Sequence, residues 1–381
     1  MQGKCGDPVW RGKRSEYRSS LHFLVALFRL PSCMTGEASS RAPTTLIAVV
    51  AIFVALYLAS SVFAPVAFAL FIIALVWPLQ SLLQSYVPKL LALAIVILVT
   101  VVVFVAFASL IVWGFSRVAR WVVSDAARYQ VLYNRVAVWL EGHGIAIASL
   151  WAEHFNVGWL LRVLQEITGR INATTRFWVV VLVYVVLGLL EVEDIGCRIE
   201  AMDNRETSRV LLDGSLATAV KFRRYMLVRT LMSLMTGALV WGFVRLAGLP
   251  LAVEWGVVAF ALNYIPFIGP FVATVFPTLL ALAQFASWQA ALAVFVGLNL
   301  IQFVVGSYIE PRVFGRALAI SPFVVLFAVF LWAFVWGLFG AFIGVPVTIA
   351  VLTFSAQHPS TRWLADLLGS PGGGRVAKKV A

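Results

Sequence analysis

Charge is scarce in this chain. Asp, Glu, Lys and Arg make up 12% of the 381 residues, about half the share usual in soluble domains. No acidic residue occurs between Arg41 and Arg117, and Lys89 is the single base in that stretch. Cysteine is scarce too. Cys5, Cys33 and Cys197 are odd in number and lack metal-ligand spacing, so no disulfide framework or metal site is implied. The four histidines, His22, His143, His154 and His358, are scattered and read as surface or interfacial residues. There is no G-x-x-x-x-G-K-[ST] phosphate loop and no H-E-x-x-H zinc motif. No Ser–His or Cys–His nucleophile pair falls in adjoining apolar segments. The expectation is a protein that is not an enzyme and needs no cofactor.

What fills the chain instead is hydrocarbon: 62% of residues are apolar or aromatic. A soluble protein of this composition would expose large apolar patches, and a disordered one would need the opposite balance. The lipid bilayer is the solvent that suits it. The expected fold class is all-α: a polytopic membrane protein of about seven or eight transmembrane helices, including broken or re-entrant hairpins, plus amphipathic helices. The net charge of +12 fits basic residues gathered at cytoplasmic span ends. The N-terminal tail carries Lys4, Arg11, Lys13, Arg14, Arg18, Arg29 and Arg41, and the C-terminal tail Arg362, Arg375, Lys378 and Lys379. Both termini are therefore expected in the cytoplasm beside anionic lipid. No interleaved aromatic pattern accompanies these bases, so nucleic acid is not an expected partner.

Residues 1–43 read as a basic cytoplasmic tail, with Met34 as an alternative start. Residues 44–113 hold the first three spans. The run 46–79 is too long for one crossing of about 20 residues and short for two, and Pro65 marks the expected break between 46–63 and 66–83. A third span covers 90–113 and ends on Trp113, an interfacial type of residue. Residues 114–172 alternate charge with Leu, Tyr and Trp at helical spacing and predict amphipathic extracytoplasmic helices. The core from 173 to 355 contains a fourth span at 177–190, a charged linker at 191–224, a fifth span at about 226–247 and another at 287–306. Residues 307–321 read as a loop, and 356–381 as a second cytoplasmic tail.

Two apolar stretches predict broken hairpins. In 252–284 the middle reads Asn263-Tyr264-Ile265-Pro266-Phe267-Ile268-Gly269-Pro270. Pro266 and Pro270 remove two backbone donors, and Gly269 relaxes the backbone between them. Non-helical backbone at membrane depth is tolerated when it is buried in protein or lines a cavity, and half-helix ends can bind a polar solute or ion there. Residues 322–355 carry Gly337, Gly340, Gly344 and Pro346, and the Gly340–Gly344 spacing allows close backbone approach. Between Leu246 and Thr361 formal charge is confined to Glu254, Glu310, Arg312 and Arg316. An immersed acid is a functional candidate; both acids also lie near predicted span ends, and Arg312 or Arg316 is the expected partner of Glu310. Gln302 in an apolar span reads as an interhelical hydrogen bond or as part of the pathway. The candidate pathway residues are thus Asn263, Tyr264, Pro266, Gly269, Pro270, Gln302, Glu310 and Arg312, with Pro311, Gly315, Pro322, Gly340, Gly344 and Pro346 as structural motif positions.

Three of these motifs together resemble the autoinducer-2 exporter family of bacterial permeases. They are Tyr264–Pro270, then Gly306-Ser307-Tyr308-Ile309-Glu310-Pro311-Arg312-Val313-Phe314-Gly315-Arg316 followed by Ser321-Pro322, then Gly337-Leu338-Phe339-Gly340 running into Val345-Pro346. Order and spacing match over roughly 220–355. The chain departs from the family pattern at Ser307, often Asn, and at Glu191-Val192-Glu193-Asp194, where no glycine follows at once. The resemblance implies a homo-oligomer in the bacterial inner membrane that exports small polar solutes. The family name refers to the furanosyl signal autoinducer-2, and other members resemble sodium or lithium/proton antiporters. The expected partners are the lipid bilayer and a small polar solute, or a monovalent cation and protons. A non-transporting membrane scaffold, docking through 114–172, and a channel are the alternatives.

Overall fold

A computed structural model describes residues 41–124, 142, 157–314, 320–359 and 361–369. The chain divides into two compact units, Met1–Ala55 and Leu56–Ala381. Among the described residues the secondary structure is helical: α1 Arg41–Leu58, α2 Ser60–Gln84, α3 Lys89–Ser124, α4 Val157–Glu200, α5 Arg205–Leu246, α6 Ala252–Leu262, α7 Ile268–Phe285, α8 Trp288–Phe303, a π-helical segment Val304–Ile309, α9 Glu310–Phe314, α10 Pro322–Gln357 and α11 Arg362–Leu368. The helices from α2 onward belong to the second unit. Six are long and apolar enough to cross a membrane: Ser60–Gln84, Lys89–Trp121, Arg205–Leu246, Ile268–Phe285, Trp288–Ile309 and Pro322–Gln357. Leu46–Leu58 and Ala252–Leu262 are shorter apolar helices. The protein is a polytopic all-α membrane protein.

Side-chain burial follows from lipid as solvent. Leu98, Val102 and Val103 of α3 and Phe327, Phe330 and Phe334 of α10 are exposed, which in water would drive aggregation and in lipid costs nothing. The most widely connected helix is α5, which packs against α2, α4, α6, α8, α9, α10 and the π segment. It buries small or polar residues along its length: Ser208, Gly214, Thr218, Arg229, Ser233, Thr236 and Gly237. Small residues let neighbouring backbones come close: a Cβ on Gly237 would lie 2.8 Å from the Gly256 carbonyl oxygen of α6. The N-terminus of α5 is capped by Asn204, whose side-chain oxygen accepts from the Glu206 and Thr207 amides. The charged stretch 191–224 thus comprises the end of α4, a short turn and the start of α5.

Several expectations are corrected. The break in 46–79 falls at Ala59 (φ −99°, ψ 32°), and Pro65 and Pro78 both lie inside α2. Proline removes one bond from a helix without necessarily ending it; at Pro65 the bond forgone is the one to the Ser61 carbonyl, and the helix runs on past it. The third helix continues past Trp113 to Ser124. The stretch expected as a loop from 307 is helical through Phe314, with a π-helical turn over Val304–Ile309. Pro311 lacks the amide that would close the next α-turn, and a widened turn before it accommodates that loss. Gly315 and Arg316, and most of 114–172, lie outside the described residues; from 157 to 173 the backbone is helical.

Both apolar stretches fold as hairpins. In the second, Trp336 (φ −128°, ψ 15°) and Gly337 (φ 64°, ψ −143°) interrupt α10, and Gly337 occupies a region open essentially to glycine alone. A Cβ on Gly344 would lie 3.0 Å from the Ala328 carbonyl oxygen. Sixteen residues of straight helix would hold these about 24 Å apart, so the chain has reversed. Gly340 sits against the Trp332 carbonyl with no room for a Cβ. Pro322 opens the first arm at a position where a proline costs no hydrogen bond.

Candidate functional site

The first hairpin turns over 263–267, between α6 and α7. Its backbone closes on itself: Ile265 donates to Leu262, Ile268 to Pro266 and Gly269 to Ile265. Asn263, Tyr264, Ile265, Pro266 and Gly269 are buried, Pro270 is half-buried and Phe267 is exposed. Phe267 has φ 64°, ψ −47°; with the Ile268 amide bonded to the Pro266 carbonyl at 2.7 Å, this is a γ-turn of the strained hand. Strain of this kind persists only where the surroundings impose it, and it gathers at functional sites. Gly269 acts differently from expectation. It is helical, and what it provides is space, since a Cβ there would overlap the Leu262 carbonyl.

A short segment of α5 receives this turn. Asn263 Nδ2 donates to Ser233 Oγ at 3.2 Å, and the Tyr264 hydroxyl pairs with Thr230 Oγ1 at 3.0 Å. One residue before Thr230, Arg229 Nη1 lies 2.9 Å from Glu310 Oε1, with side-chain exposures of 5% and 22%. Arg312 is not the described partner of Glu310: it is exposed and its guanidinium lies 3.6 Å above the Tyr308 ring, and Arg316 lies outside the described residues. The π turn ends at Glu310, so the acid is delivered to α5 from an irregular stretch of helix, a feature common at functional sites. Arg229, Thr230 and Ser233 therefore gather Asn263, Tyr264 and Glu310, which lie far apart in sequence. Gln302 is half-buried on α8 and makes no side-chain hydrogen bond among the described residues.

The second hairpin reaches the same place. Tyr264 stacks on Phe342 of α10 with ring centroids 6.2 Å apart and meets Phe107 of α3 edge-on at 5.4 Å. Phe342 also stacks on Phe68 of α2. Gly340 and Gly344 bring the two arms close, and Pro346, two residues further on, is buried. A second buried acid, Glu254 at the start of α6, pairs with Arg117 of α3, Nε to Oε1, at 2.9 Å. Acids near a helix N-terminus are favoured by its dipole, and the pair ties the C-terminal part of α3 to the hairpin.

Sequence reading missed Arg229, Thr230 and Ser233. The signal for Arg229 was present: it is a base inside an apolar span, which requires a partner, and Glu310 was the acid in search of one. For the hydroxyls, the strained Phe267 and the π turn there was no such signal.

Comparison with known proteins agrees with this architecture. The model of the AI-2E family transporter family matches residues 46–359. An AI-2 transport protein of Escherichia coli strain K12, TqsA, is 26% identical over 312 residues, covering 81% of this chain and 90% of its own length. Two proteins named as candidate transport proteins match more narrowly. One from Borreliella burgdorferi is 31% identical over 42% of this chain and 43% of its own length, and YhhT of Escherichia coli strain K12 is 32% identical over 38% and 41%. These relatives are named for transport, and none for an enzymatic reaction. A buried polar cluster gathered by two apolar hairpins, and a family match that spans both, lead to one conclusion: this chain belongs to the AI-2E family of membrane transporters.

Proposed function

We propose that the protein is a secondary transporter of the bacterial inner membrane that exports a small polar solute of the autoinducer-2 type. The pathway runs past the 263–267 turn, with Asn263, Tyr264, Pro266, Gly269, Pro270, Gln302, Glu310 and Arg312 along it. One observation carries this reading: the unwound turn and the acid Glu310 are both fastened to a single short segment of α5, Arg229–Ser233, whose Arg229 and Ser233 are buried. Polar groups are expensive in such surroundings unless they serve a solute, and a turn of irregular backbone is tolerated where it borders a protein-lined path. The name of the Escherichia coli relative supports the class of solute. Exchange of sodium or lithium for protons is the competing assignment, and Glu310 is the residue that would serve it. The functional unit is a homo-oligomer with both termini in the cytoplasm, a placement supported by the basic tails.

The test is flux in proteoliposomes holding the full chain, with autoinducer-2 in one arm and imposed sodium or lithium gradients with an internal pH dye in the other. Saturable, gradient-driven solute movement that is lost in the Pro266→Ala/Pro270→Ala variant is expected. A flat pH signal removes the antiport assignment. Cation-driven pH changes that Glu310→Gln abolishes, without solute movement, replace solute export by antiport. Cysteine labelling at the tails from the cytoplasmic side only checks the orientation.

A further inference from the structure

Arg229, Ser233 and Thr236 are spaced by four and three residues, so they share one face of α5. All three are buried. Ser233 is bonded to Asn263, but the groups on either side of this pair are unsatisfied. Arg229 uses Nη1 on Glu310 while its Nε has no hydrogen-bond partner among the described residues, and Thr236 Oγ1 has none among them either. A buried polar group left unpaired costs about 1–3 kcal/mol, and most proteins pair nearly all of them. Here two such atoms flank an Asn–Ser pair, on a stretch of helix about 10 Å long, beside a strained turn.

From this we infer that the Arg229–Ser233–Thr236 face, with Asn263, is a binding site for a small uncharged solute rich in hydroxyl or ether oxygens. The inference rests on the transport reading above and assigns it residues and a solute charge. The donor inventory sets the chemistry. Arg229 can only donate, so an acceptor oxygen belongs at its end; Ser233, Thr236 and Asn263 can donate and accept, which suits hydroxyls. The charge balance sets the rest. Glu310 already compensates Arg229, so the face is neutral overall, and a charged solute would lose its hydration without meeting a free counter-charge. Tyr264, bonded to Thr230 and stacked on Phe342, is an aromatic neighbour of the kind that packs against the apolar face of a sugar-like ring.

The experiment uses the purified full chain in detergent and tritiated D-ribose as probe, read by scintillation proximity, with glycerol, erythritol, the anion D-ribonate and lithium chloride as competitors. Saturable ribose binding, displaced by the polyols and not by ribonate or lithium, is expected. Thr236→Val keeps the volume and removes the hydroxyl; it weakens binding about tenfold and leaves the melting temperature unchanged or higher, because an unpaired buried hydroxyl has gone. A purely structural hydroxyl would lower the melting temperature instead. Arg229→Lys, which retains the charge opposite Glu310, weakens binding by a similar factor. Thr218→Val removes another buried, unpartnered hydroxyl of α5 about 27 Å away and changes binding less than twofold. Absence of saturable polyol or ribose binding overturns the proposal, as do equal effects of the Thr236 and Thr218 variants or preference for ribonate. Flux separates the two readings. Binding without flux removes transport and keeps the site, whereas flux that is indifferent to Thr236→Val and Arg229→Lys keeps transport and removes the site.

Discussion

Arg229 and Glu310 sit 81 residues apart in sequence and form an ion pair in which the guanidinium is buried and the carboxylate partly so. Removing one member of such a pair leaves an uncompensated charge in low dielectric, at a cost of about 3 kcal/mol or more, whereas the pair itself adds little against a well-packed apolar replacement. Arg229→Ala is therefore expected to lower the melting temperature sharply, with the loss moderated by the partial exposure of Glu310. The swap Arg229→Glu/Glu310→Arg recovers part of that loss, and a double-mutant cycle by thermal unfolding in detergent measures the coupling. Glycine substitutions give a second residue-scale prediction. Gly269→Ala and Gly340→Ala push a methyl group into the Leu262 and Trp332 carbonyls, and backbone cannot step aside as a side chain can. Each is expected to destabilise by about 1–3 kcal/mol. Gly306→Ala meets open space and is expected to be neutral, or slightly stabilising through helix propensity. Of the residues in this cluster, the sequence identified Asn263, Tyr264 and Glu310, because amide, phenol and acid are conspicuous in hydrocarbon. It gave no reason to choose Thr230 or Ser233, since single hydroxyls are common in membrane helices and usually bond their own backbone, as Thr274 and Thr278 do here.

At the scale of elements, the two hairpins arise differently. The first turn is imposed by prolines and closes through a γ-turn at Phe267. The second is made by Gly337, the residue that can adopt the required φ. Phe267→Gly is expected to stabilise the fold by about 1 kcal/mol by releasing the strained backbone, measured as a rise in melting temperature. If that strain serves solute release, flux falls while stability rises. Both hairpins were legible in outline, because apolar runs of awkward length punctuated by Pro and Gly admit few other solutions. The position of the first break in the chain was not. Ala59 interrupts the helix and Pro65 does not, since a proline forfeits one bond and the packing of α2 on α4 and α10 holds the helix in place.

Across the whole molecule, Tyr264 and Phe342 bring the two hairpins together, and the transport cycle proposed above would require that contact to change. Cysteines at 264 and 342, in a background lacking Cys5, Cys33 and Cys197, are expected to be joined by a short reducible thiol cross-linker, stopping flux until reduction restores it. The outer face of α3 is expected to tolerate apolar exchange freely, whereas Leu98→Arg lowers membrane insertion by about 3 kcal/mol, readable in a glycosylation-based insertion assay. What the sequence determined by itself is the solvent, the helical class and which two long apolar stretches must fold back on themselves. Those follow from the cost of exposing backbone to lipid, which each segment meets alone and which composition records. Only the tertiary structure decided that Arg229 partners Glu310, that Ser233 and Thr230 receive the turn, and that two distant hairpins meet at one aromatic contact. Partner choice between helices depends on which faces are brought within hydrogen-bonding distance. Lipid tails are as apolar as the helices themselves, so hydropathy carries no record of those faces.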